Sequence, residues 1–287
     1  YICCKSPDKL ALIERRFGVA ATTSIDAILN DSDVEGVFVC TSPQSHYEIC
    51  SRVIASGKYL FVEKPPCQTI GQLESLIAAD KRQKAMVGMQ KRYSPLIRQL
   101  MKRLSKNKPI SYTMLYHTGP YPEGNPYTDL FIHPVDLALY LFGNAEITAV
   151  QRVERNGTTT VQALLSHGDV NGFIELSTAY SWTNPKESLH VNTQTGEYCL
   201  EQMERLCHYQ HPKKIVGIPL EKLGLFAAAE QVIEDRNNFN PLVTNNQLYM
   251  HGFLQEIKAF ADIVEHSGKN LTPLSSMRAT YELLDHD

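Results

Sequence analysis

Short continuous apolar runs alternate with helical patterns through about residue 93. The apolar runs lie at 1–4, 37–40, 59–63 and 85–88, and the helical patterns lie near 8–17, 24–29, 46–56 and 70–84. Alternation of strand and helix is typical of βαβ units, and uninterrupted apolar strands are typical of a parallel sheet covered on both faces. This part of the chain therefore predicts a doubly wound parallel sheet of Rossmann type.

The pattern changes beyond residue 93. A basic helix at 96–104 is followed by segments that alternate apolar and polar residues, at 110–117, 147–155, 158–166, 172–180 and 188–194. Such alternation is typical of half-buried antiparallel strands, and an amphipathic helix around 253–264 closes the chain. We predict an α/β protein of two domains. Residues 1–93 form the dinucleotide-binding domain, and residues 94–287 form an α+β domain with a large, mostly antiparallel open sheet.

Composition excludes several classes of function. The formal charge is −3, with 28 basic and 31 acidic residues evenly mixed, so neither nucleic acid nor an anionic membrane is an expected partner. No apolar stretch approaches the ~20 residues that span a bilayer. The seven cysteines show no Cys-x-x-Cys spacing, which predicts a reducing, cytoplasmic setting and no metal site.

The first strand carries no phosphate-binding turn. The chain opens inside the run Tyr1 to Cys4, and no Gly-x-Gly-x-x-Gly occurs anywhere. A dinucleotide-binding sheet normally has that turn after its first strand. One interpretation is that the fold binds no dinucleotide. The other is that this strand corresponds to the second strand of such a fold, so that about one strand and one helix are missing from this sequence.

The tripeptide Glu63-Lys64-Pro65 closes an apolar run and so places Lys64 at the carboxyl end of a predicted strand. In an open α/β sheet ligands bind at that edge. Pro65 stiffens the backbone, and a cis Lys64-Pro65 bond would aim the ammonium into the crevice. The tripeptide thus suits a catalytic group. The alternative is a solvated charge that ends a strand.

Together these segments resemble the Gfo/Idh/MocA family of nicotinamide-dependent sugar oxidoreductases, over nearly the whole chain. The segments that carry the resemblance are Tyr1 to Cys4 with Ser6-Pro7-Asp8-Lys9, Val37 to Pro43 with His46, Gly57-Lys58 leading to Glu63-Lys64-Pro65, Val87 to Pro95, and Asp129 to His133 with Asp136.

The resemblance implies that Lys64 lies between nicotinamide and substrate, with Asp129 and His133 facing it from the second domain. Hydride transfer from a secondary alcohol requires removal of the hydroxyl proton, which a neutral imidazole can accept. His133 is then the general base, and Asp129 orients it. Pro134 cannot lie deep inside a helix, so the helix should begin no earlier than about Phe131, and Asp129 has the alternative role of a helix cap. Asp136 is interpreted as a structural carboxylate.

Cofactor preference follows from the end of the first strand, where NAD-binding folds place an acidic residue against the ribose. Lys5 and Ser6 stand there instead and favour NADP modestly over NAD, unless Lys5 is only a solvated turn residue. The resemblance also implies cofactor contacts from residues at the ends of the later strands. These are Thr41, Ser42, Pro43, His46, Glu63, Lys64, Gln90 and Arg92.

Substrate contacts are expected from Lys64, His133 and the loop before Asp129, where Tyr121 and Tyr127 lie near His117 and Asn125; the alternative is a surface turn. Trp182 is expected in the core. The expected function is hydride transfer between NADP or NAD and a secondary alcohol of a sugar, sugar derivative or cyclitol, by a homodimer or homotetramer. Two other classes stay open: a nicotinamide-sensing regulator without catalysis, and a hydrolase or lyase that holds nicotinamide tightly.

Overall fold

The computed structural model describes residues 1–224, 230–236 and 242–285. Two compact units divide the chain, the first being Tyr1–Val87 with Asp262–Ser275 and the second Gly88–Ala261 with Ser276–Asp287. The sequence predicts a boundary at residue 93, six residues after the observed one at Val87. It also does not predict that Asp262–Ser275 belongs to the first unit. That segment joins the first unit through hydrogen bonds beside a strand. The Val87 amide donates to the Thr272 carbonyl at 2.9 Å, and the Asn270 side chain donates to the Ala85 carbonyl at 2.9 Å.

The first unit has the predicted alternation of strands and helices. Its elements are β1 Ile2–Cys3, α1 Leu10–Phe17, β2 Ala21–Thr22, α2 Ile25–Leu29, β3 Gly36–Val39, α3 His46–Ala55, β4 Tyr59–Glu63, α4 Ile70–Ala79 and β5 Ala85–Gly88. Strands β3, β4 and β5 form one sheet, with β3 parallel to β4, and β1 pairs with β2 in parallel. The Rossmann-type prediction is confirmed for this unit.

Helix α4 ends earlier than the predicted residue 84. The carboxylate of Asp80 accepts hydrogen bonds from the amides of Lys84 and Ala85, at 2.9 and 3.0 Å. These bonds hold 80–85 as a turn that leads into β5, which explains why the helical pattern stops at Ala79.

The second unit is built on an eight-stranded sheet with the order β15-β12-β11-β10-β6-β9-β8-β7. Every neighbouring pair is antiparallel except β6 with β9, so the predicted mostly antiparallel sheet is confirmed. The elements are α5 Pro95–Leu104, β6 Pro109–His117, α6 Ile132–Phe142, β7 Glu146–Arg155, β8 Thr158–Ser166, β9 Asn171–Ser177, β10 Lys186–Thr193, β11 Gly196–Glu201, β12 Arg205–Gln210, β13 Lys214–Ile215, β14 Ile218–Pro219, β15 Glu230–Asp235, α7 Gln247–Met250, α8 Phe253–His266 and α9 Arg278–Leu284.

One face of this sheet carries the core of the second unit. Helix α5 contributes Leu96, Ile97 and Leu100, which pack with α6 against alternate strand residues such as Leu189 and Val191. The opposite face has fewer covered residues, and Val153, Leu164 and Val232 are exposed there. The alternation along each strand thus separates a packed face from an open one. Across the described ranges, no helix is both long and apolar enough to cross a bilayer.

A buried ion pair lies among the helices of the second unit. Arg92 donates from Nε to Oδ2 of Asp136 at 2.8 Å and from Nη2 to Oδ1. Nη1 donates to Ser276 at 3.2 Å, and the guanidinium lies 5.0 Å from the ring centre of Tyr140. Thr280 donates to the same carboxylate at 3.3 Å. Asp136 therefore has the structural role that its place in the sequence suggests.

Replacing Asp136 with Asn should destabilise the second unit by about 3–5 kcal/mol, because the Arg92 charge would stay buried without a counter-charge. Denaturant unfolding would measure this loss. Asp169→Asn is the matched control, since Asp169 is exposed and should change stability by less than about 0.5 kcal/mol. Equal midpoints for the two variants would show that the pair contributes nothing.

Candidate functional site

The turn after β4 holds the lysine that the sequence marks as a catalytic candidate. Strand β4 ends at Glu63, and the Lys64-Pro65 peptide bond that follows is cis. Lys64 and Glu63 are half-buried, while Pro65 is buried. Because β3 and β4 run parallel as neighbours, this turn and the Thr41 to Pro43 loop lie at the same edge of the sheet. A half-buried amine at that edge fits a ligand-binding position.

His46 ties these two segments together. Its Nδ1 lies 2.7 Å from the carbonyl oxygen of Pro65, and its Nε2 lies 2.9 Å from the carbonyl oxygen of Thr41. The ring is 1% exposed, so these contacts are shielded from water. The sequence predicts a cofactor contact for His46, but both ring nitrogens face the backbone. Its observed role is to hold the Lys64-Pro65 turn against the loop after β3.

Burial raises the pKa of the Glu63 carboxyl, against the opposing effect of the Lys64 backbone amide and of the charges of Lys64 and His46. The balance means that the carboxyl beside the lysine gives up its proton less readily than a solvated glutamate.

The other residues that the sequence assigns to the cofactor divide into exposed and buried groups. Lys5 is exposed after β1, and Ser6 precedes a short 3-10 turn at Pro7–Lys9. Thr41 and Ser42 are exposed, and the Thr41 hydroxyl lies 2.8 Å from that of Ser45. These hydroxyl and ammonium groups fit the ribose and phosphate oxygens of a dinucleotide. Pro43 starts the 3-10 turn Pro43–Ser45, ahead of His46.

Gln90 and Arg92 belong to the second unit and are both buried. The guanidinium of Arg92 is committed to Asp136, so its predicted cofactor contact is corrected to a structural pair. The backbone around Gln90 is packed against Gly252, whose φ is +96°, and a side chain on that glycine would overlap the Gln90 carbonyl oxygen. Ion pairing accounts for the Arg92 side chain, whereas the cofactor contact of the Gln90 side chain stays a prediction.

The second group of candidate catalytic residues lies on a helix of the second unit. A π-helical turn, Tyr127–Phe131, leads into α6, so α6 begins at Ile132 as Pro134 requires. Asp129 lies in the π turn and His133 in the first turn of α6, and both are 8% exposed. π turns within helices occur often at functional sites.

The carboxylate of Asp129 is wrapped by the loop that precedes it. It accepts the Asn125 amide at 3.0 Å and the Thr128 hydroxyl at 3.3 Å, and the Tyr121 hydroxyl also bonds to it. Gly124 allows this close approach, because a Cβ there would overlap the carboxylate. Asp129 thus holds its own loop closed. Its predicted role of orienting His133 stays a prediction.

The loop residues predicted to contact substrate have different surroundings. Tyr121 reaches Asp129, whereas Tyr127 packs edge-on to Phe131, 5.7 Å between ring centres, and joins the core. The ring of Tyr127 therefore has a packing role. His117 is buried, and its Nε2 lies 2.8 Å from Glu175. Tyr180 stacks on the His117 ring with centres 4.0 Å apart.

Trp182 is 51% exposed, so the expectation that it lies in the core is wrong. Its ring lies against Gly119, where any side chain would collide with the indole, and its Nε1 donates to the Pro120 carbonyl at 2.8 Å. No local pattern in the sequence signals this packing, nor the contacts of Glu175 and Tyr180 with His117. Each depends on which strands become neighbours in the sheet.

Comparison with known proteins agrees with this geometry. Residues 2–91 match the family model GFO_IDH_MocA, described as an oxidoreductase family with an NAD-binding Rossmann fold. The first unit of the chain is thus similar to the NAD-binding domain of the Gfo/Idh/MocA family.

The chain is 28% identical over 186 residues to an uncharacterized oxidoreductase of Escherichia coli, YhhX, covering 59% of this chain and 54% of that protein. It is 23% identical over 193 residues to the inositol 2-dehydrogenase of Rhizobium meliloti, covering 62% and 56%. The chain thus spans about half the length of these curated relatives. A levoglucosan dehydrogenase solved in complex with NADH has a TM-score of 0.81 at 16% identity, covering 99% of this chain and 85% of that one, which shows a shared fold.

Replacing His46 with Leu should lower the free energy of unfolding by about 1–3 kcal/mol, because the Thr41 and Pro65 carbonyls would lose the ring that bridges them. Thermal or urea unfolding would measure the loss. His211→Leu is the control, since His211 is exposed and its ring lies 3.4 Å from the Gln194 carbonyl, a long contact. If the two variants unfold alike, His46 does not fix this turn.

Proposed function

We propose that this chain is a member of the Gfo/Idh/MocA family and moves hydride between a nicotinamide cofactor and a secondary alcohol of a sugar, sugar derivative or cyclitol. The observation that carries the proposal is the half-buried Lys64 in a turn held by His46, at the carboxyl end of a parallel sheet. The likeness to an inositol 2-dehydrogenase and to a levoglucosan dehydrogenase favours this substrate class. The match to the NAD-binding family model favours the cofactor class.

The residues at this edge of the sheet fit a dinucleotide. Thr41 and Ser42 present exposed hydroxyls beside the turn of Lys64, and Lys5 presents an exposed ammonium after β1. When bound, nicotinamide supplies a carbon that accepts or returns hydride. We assign Thr41, Ser42 and Pro43 to the cofactor, with Glu63 adjusting the charge around Lys64. His46 acts on the cofactor indirectly, by holding the backbone of both segments.

We assign Lys64 to hydrogen-bond the hydroxyl oxygen of the substrate. As the alcohol is oxidised, its oxygen passes through alkoxide character, and an ammonium hydrogen-bonded to it stabilises the developing charge. In the reverse direction the same group polarises the carbonyl oxygen of a ketone. One residue therefore serves both directions.

We assign His133 to transfer the hydroxyl proton of the substrate. Its neutral imidazole accepts the hydroxyl proton as hydride leaves the carbon, and it returns that proton when a ketone is reduced. We assign Asp129 to orient the His133 ring. Asp129 also forms hydrogen bonds with Asn125 and Thr128 in its own loop. Tyr121, which bonds to the same carboxylate, is the loop residue that we assign to the substrate.

We leave Arg92 and Tyr127 out of the proposed site, since ion pairing and packing within the second unit account for their side chains, and we keep Gln90 as a proposed cofactor contact. We also propose that the open face of the eight-stranded sheet forms a subunit contact in a homodimer or homotetramer. The exposed Val153, Leu164 and Val232 on that face support this proposal.

Lys64→Ala and His133→Ala should each lower kcat by about 10²–10⁴-fold, because each removes a group that acts only as charge or protons move. The assay follows nicotinamide absorbance while the protein is screened with inositols, sugars and anhydrosugars. Lys81→Ala and His211→Ala are matched controls at exposed positions and should keep wild-type rates.

Other results would select the other classes. Product formed without a net change in NADPH or NADH would indicate a hydrolase or lyase with tightly held nicotinamide. Cofactor binding without turnover of any substrate, equal in the wild type and both variants, would indicate a regulator. Wild-type turnover in Lys64→Ala would refute the assigned site even if the protein proves to be an oxidoreductase.

We propose NADP over NAD, on the basis of Lys5 and Ser6 where NAD-binding folds carry an acidic residue. Lys5→Ala should then weaken NADPH binding about 10-fold, the effect of losing one charged hydrogen bond to a 2′-phosphate, and leave NADH binding unchanged. Fluorescence titration of both cofactors would measure this. Lys9→Ala, also exposed, is the control; equal losses for NADPH and NADH would contradict the assignment.

A further inference from the structure

A cluster of polar side chains lies on the open face of the second unit, away from the residues assigned to catalysis. His190 on β10 is directly opposite Cys199 on β11. Glu197 and Glu201 lie two residues to either side of Cys199, so the pleat places all four side chains on the same face. None of these four residues has a role in the proposed hydride transfer.

The first three residues converge on one point. Nδ1 of His190 lies 3.1 Å from Oε1 of Glu197 and 3.4 Å from Sγ of Cys199. All three residues offer ligand atoms within 4.8 Å of one another. Within the part of the chain that the structure describes, this is the only group of three or more such residues with that spacing.

These separations match those between ligands of one tetrahedral zinc ion. Zinc lies about 2.0 Å from histidine nitrogen and carboxylate oxygen and about 2.3 Å from cysteine sulfur. At tetrahedral angles, nitrogen and oxygen ligands are then about 3.3 Å apart, and nitrogen and sulfur ligands about 3.5 Å apart. The observed 3.1 and 3.4 Å need only small side-chain adjustments.

Glu201 supplies the contact that commonly accompanies a metal-bound histidine. Its Oε1 lies 3.0 Å from Nε2 of His190, on the other side of the ring. A proton on Nε2, donated to Glu201, leaves the lone pair of Nδ1 directed toward Glu197 and Cys199. Carboxylates orient ligating histidines in this way in many zinc proteins.

The chemistry of the donors and their exposure narrow the choice of ion. Thiolate, imidazole and carboxylate together suit zinc, whereas calcium and magnesium prefer oxygen ligands alone. Cys199 is buried, but in the single chain the side chains of His190 and Glu197 are 39% and 43% exposed, so an ion can enter the unassociated subunit from solvent. Three protein ligands leave one position for water or an added ligand.

We propose that His190, Glu197 and Cys199 bind one zinc ion, with Glu201 orienting the imidazole. The ion crosslinks β10 and β11 on the open face of the sheet, and its binding is independent of the proposed hydride transfer. The competing arrangement has no metal, with a protonated His190 donating to both carboxylates and the Cys199 thiol hydrogen-bonded to Glu197. The two arrangements use the same contacts and differ only in whether an ion binds.

Cobalt(II) titration of the full chain, after removal of metals with a chelator, tests the proposal. We expect one equivalent of cobalt to bind, with a thiolate-to-cobalt charge-transfer band and the intense visible bands of tetrahedral geometry, and we expect zinc to abolish both. A chain that shows no charge-transfer band, and no zinc binding by calorimetry, would refute the site.

Variants identify the ligands without relying on enzyme activity. Cys199→Ser should remove the charge-transfer band, and Glu201→Gln should keep its shape while weakening affinity about 10- to 100-fold. Cys207→Ser is the sharpest control, because Cys207 lies directly opposite Cys199 on β12. Cys3→Ser, in the first unit, is a second control. A band that follows Cys207 or Cys3 rather than Cys199 would overturn the assignment, and unchanged affinity in Glu201→Gln would exclude its orienting role.

Discussion

The imidazole of His46 is the interaction on which the candidate chemistry of the first unit depends. Parallel pairing of β3 with β4 brings their carboxyl ends side by side, but the pairing alone does not fix the loops that leave the two strands. His46 does so by facing the carbonyls of both Thr41 and Pro65. A neutral imidazole has one N–H, and an imidazolium has two, so both contacts become donated hydrogen bonds only in the charged form. The ring thus holds the backbone beside Lys64 in place.

In the second unit, buried charged side chains are likewise held by contacts with other side chains. Arg92 and Asp136 are far apart in sequence and nearly inaccessible to water, and they share further bonds with Ser276 and Thr280. A lone charge there would be costly, so both partners are fixed by each other rather than by a ligand. Asp129 also has loop partners, because its carboxylate accepts the Asn125 amide and the Thr128 hydroxyl. Such a carboxylate can hold a loop in place.

Local signals carry most of what can be predicted correctly from the sequence. Apolar runs locate β4 and β5, alternation locates β8, and Pro134 locates the start of α6, since these features depend on neighbours in the chain. The features that the sequence does not predict depend on residues far apart in the chain. Pairing of β6 with β9 in parallel, the return of 262–275 to the first unit, and the packing of Trp182 on Gly119 are set by tertiary structure. The two-residue strand β2 is too short for any periodicity to reveal it.

The turn that carries Lys64 and the proposed zinc site also differ in whether the sequence can reveal them. Glu63-Lys64-Pro65 can be recognised from the chain alone, because consecutive residues at a strand end place a lysine and a stiff backbone together. His190, Glu197 and Cys199 cannot, because their meeting depends on the register of a hairpin, and a shift of one residue would turn two of them to the opposite face. Expecting no metal from the absence of Cys-x-x-Cys spacing considers only ligands close in sequence. Antiparallel strands bring together ligands that have no fixed spacing in the sequence. A search for metal sites in open sheets therefore has to use strand register rather than sequence motifs.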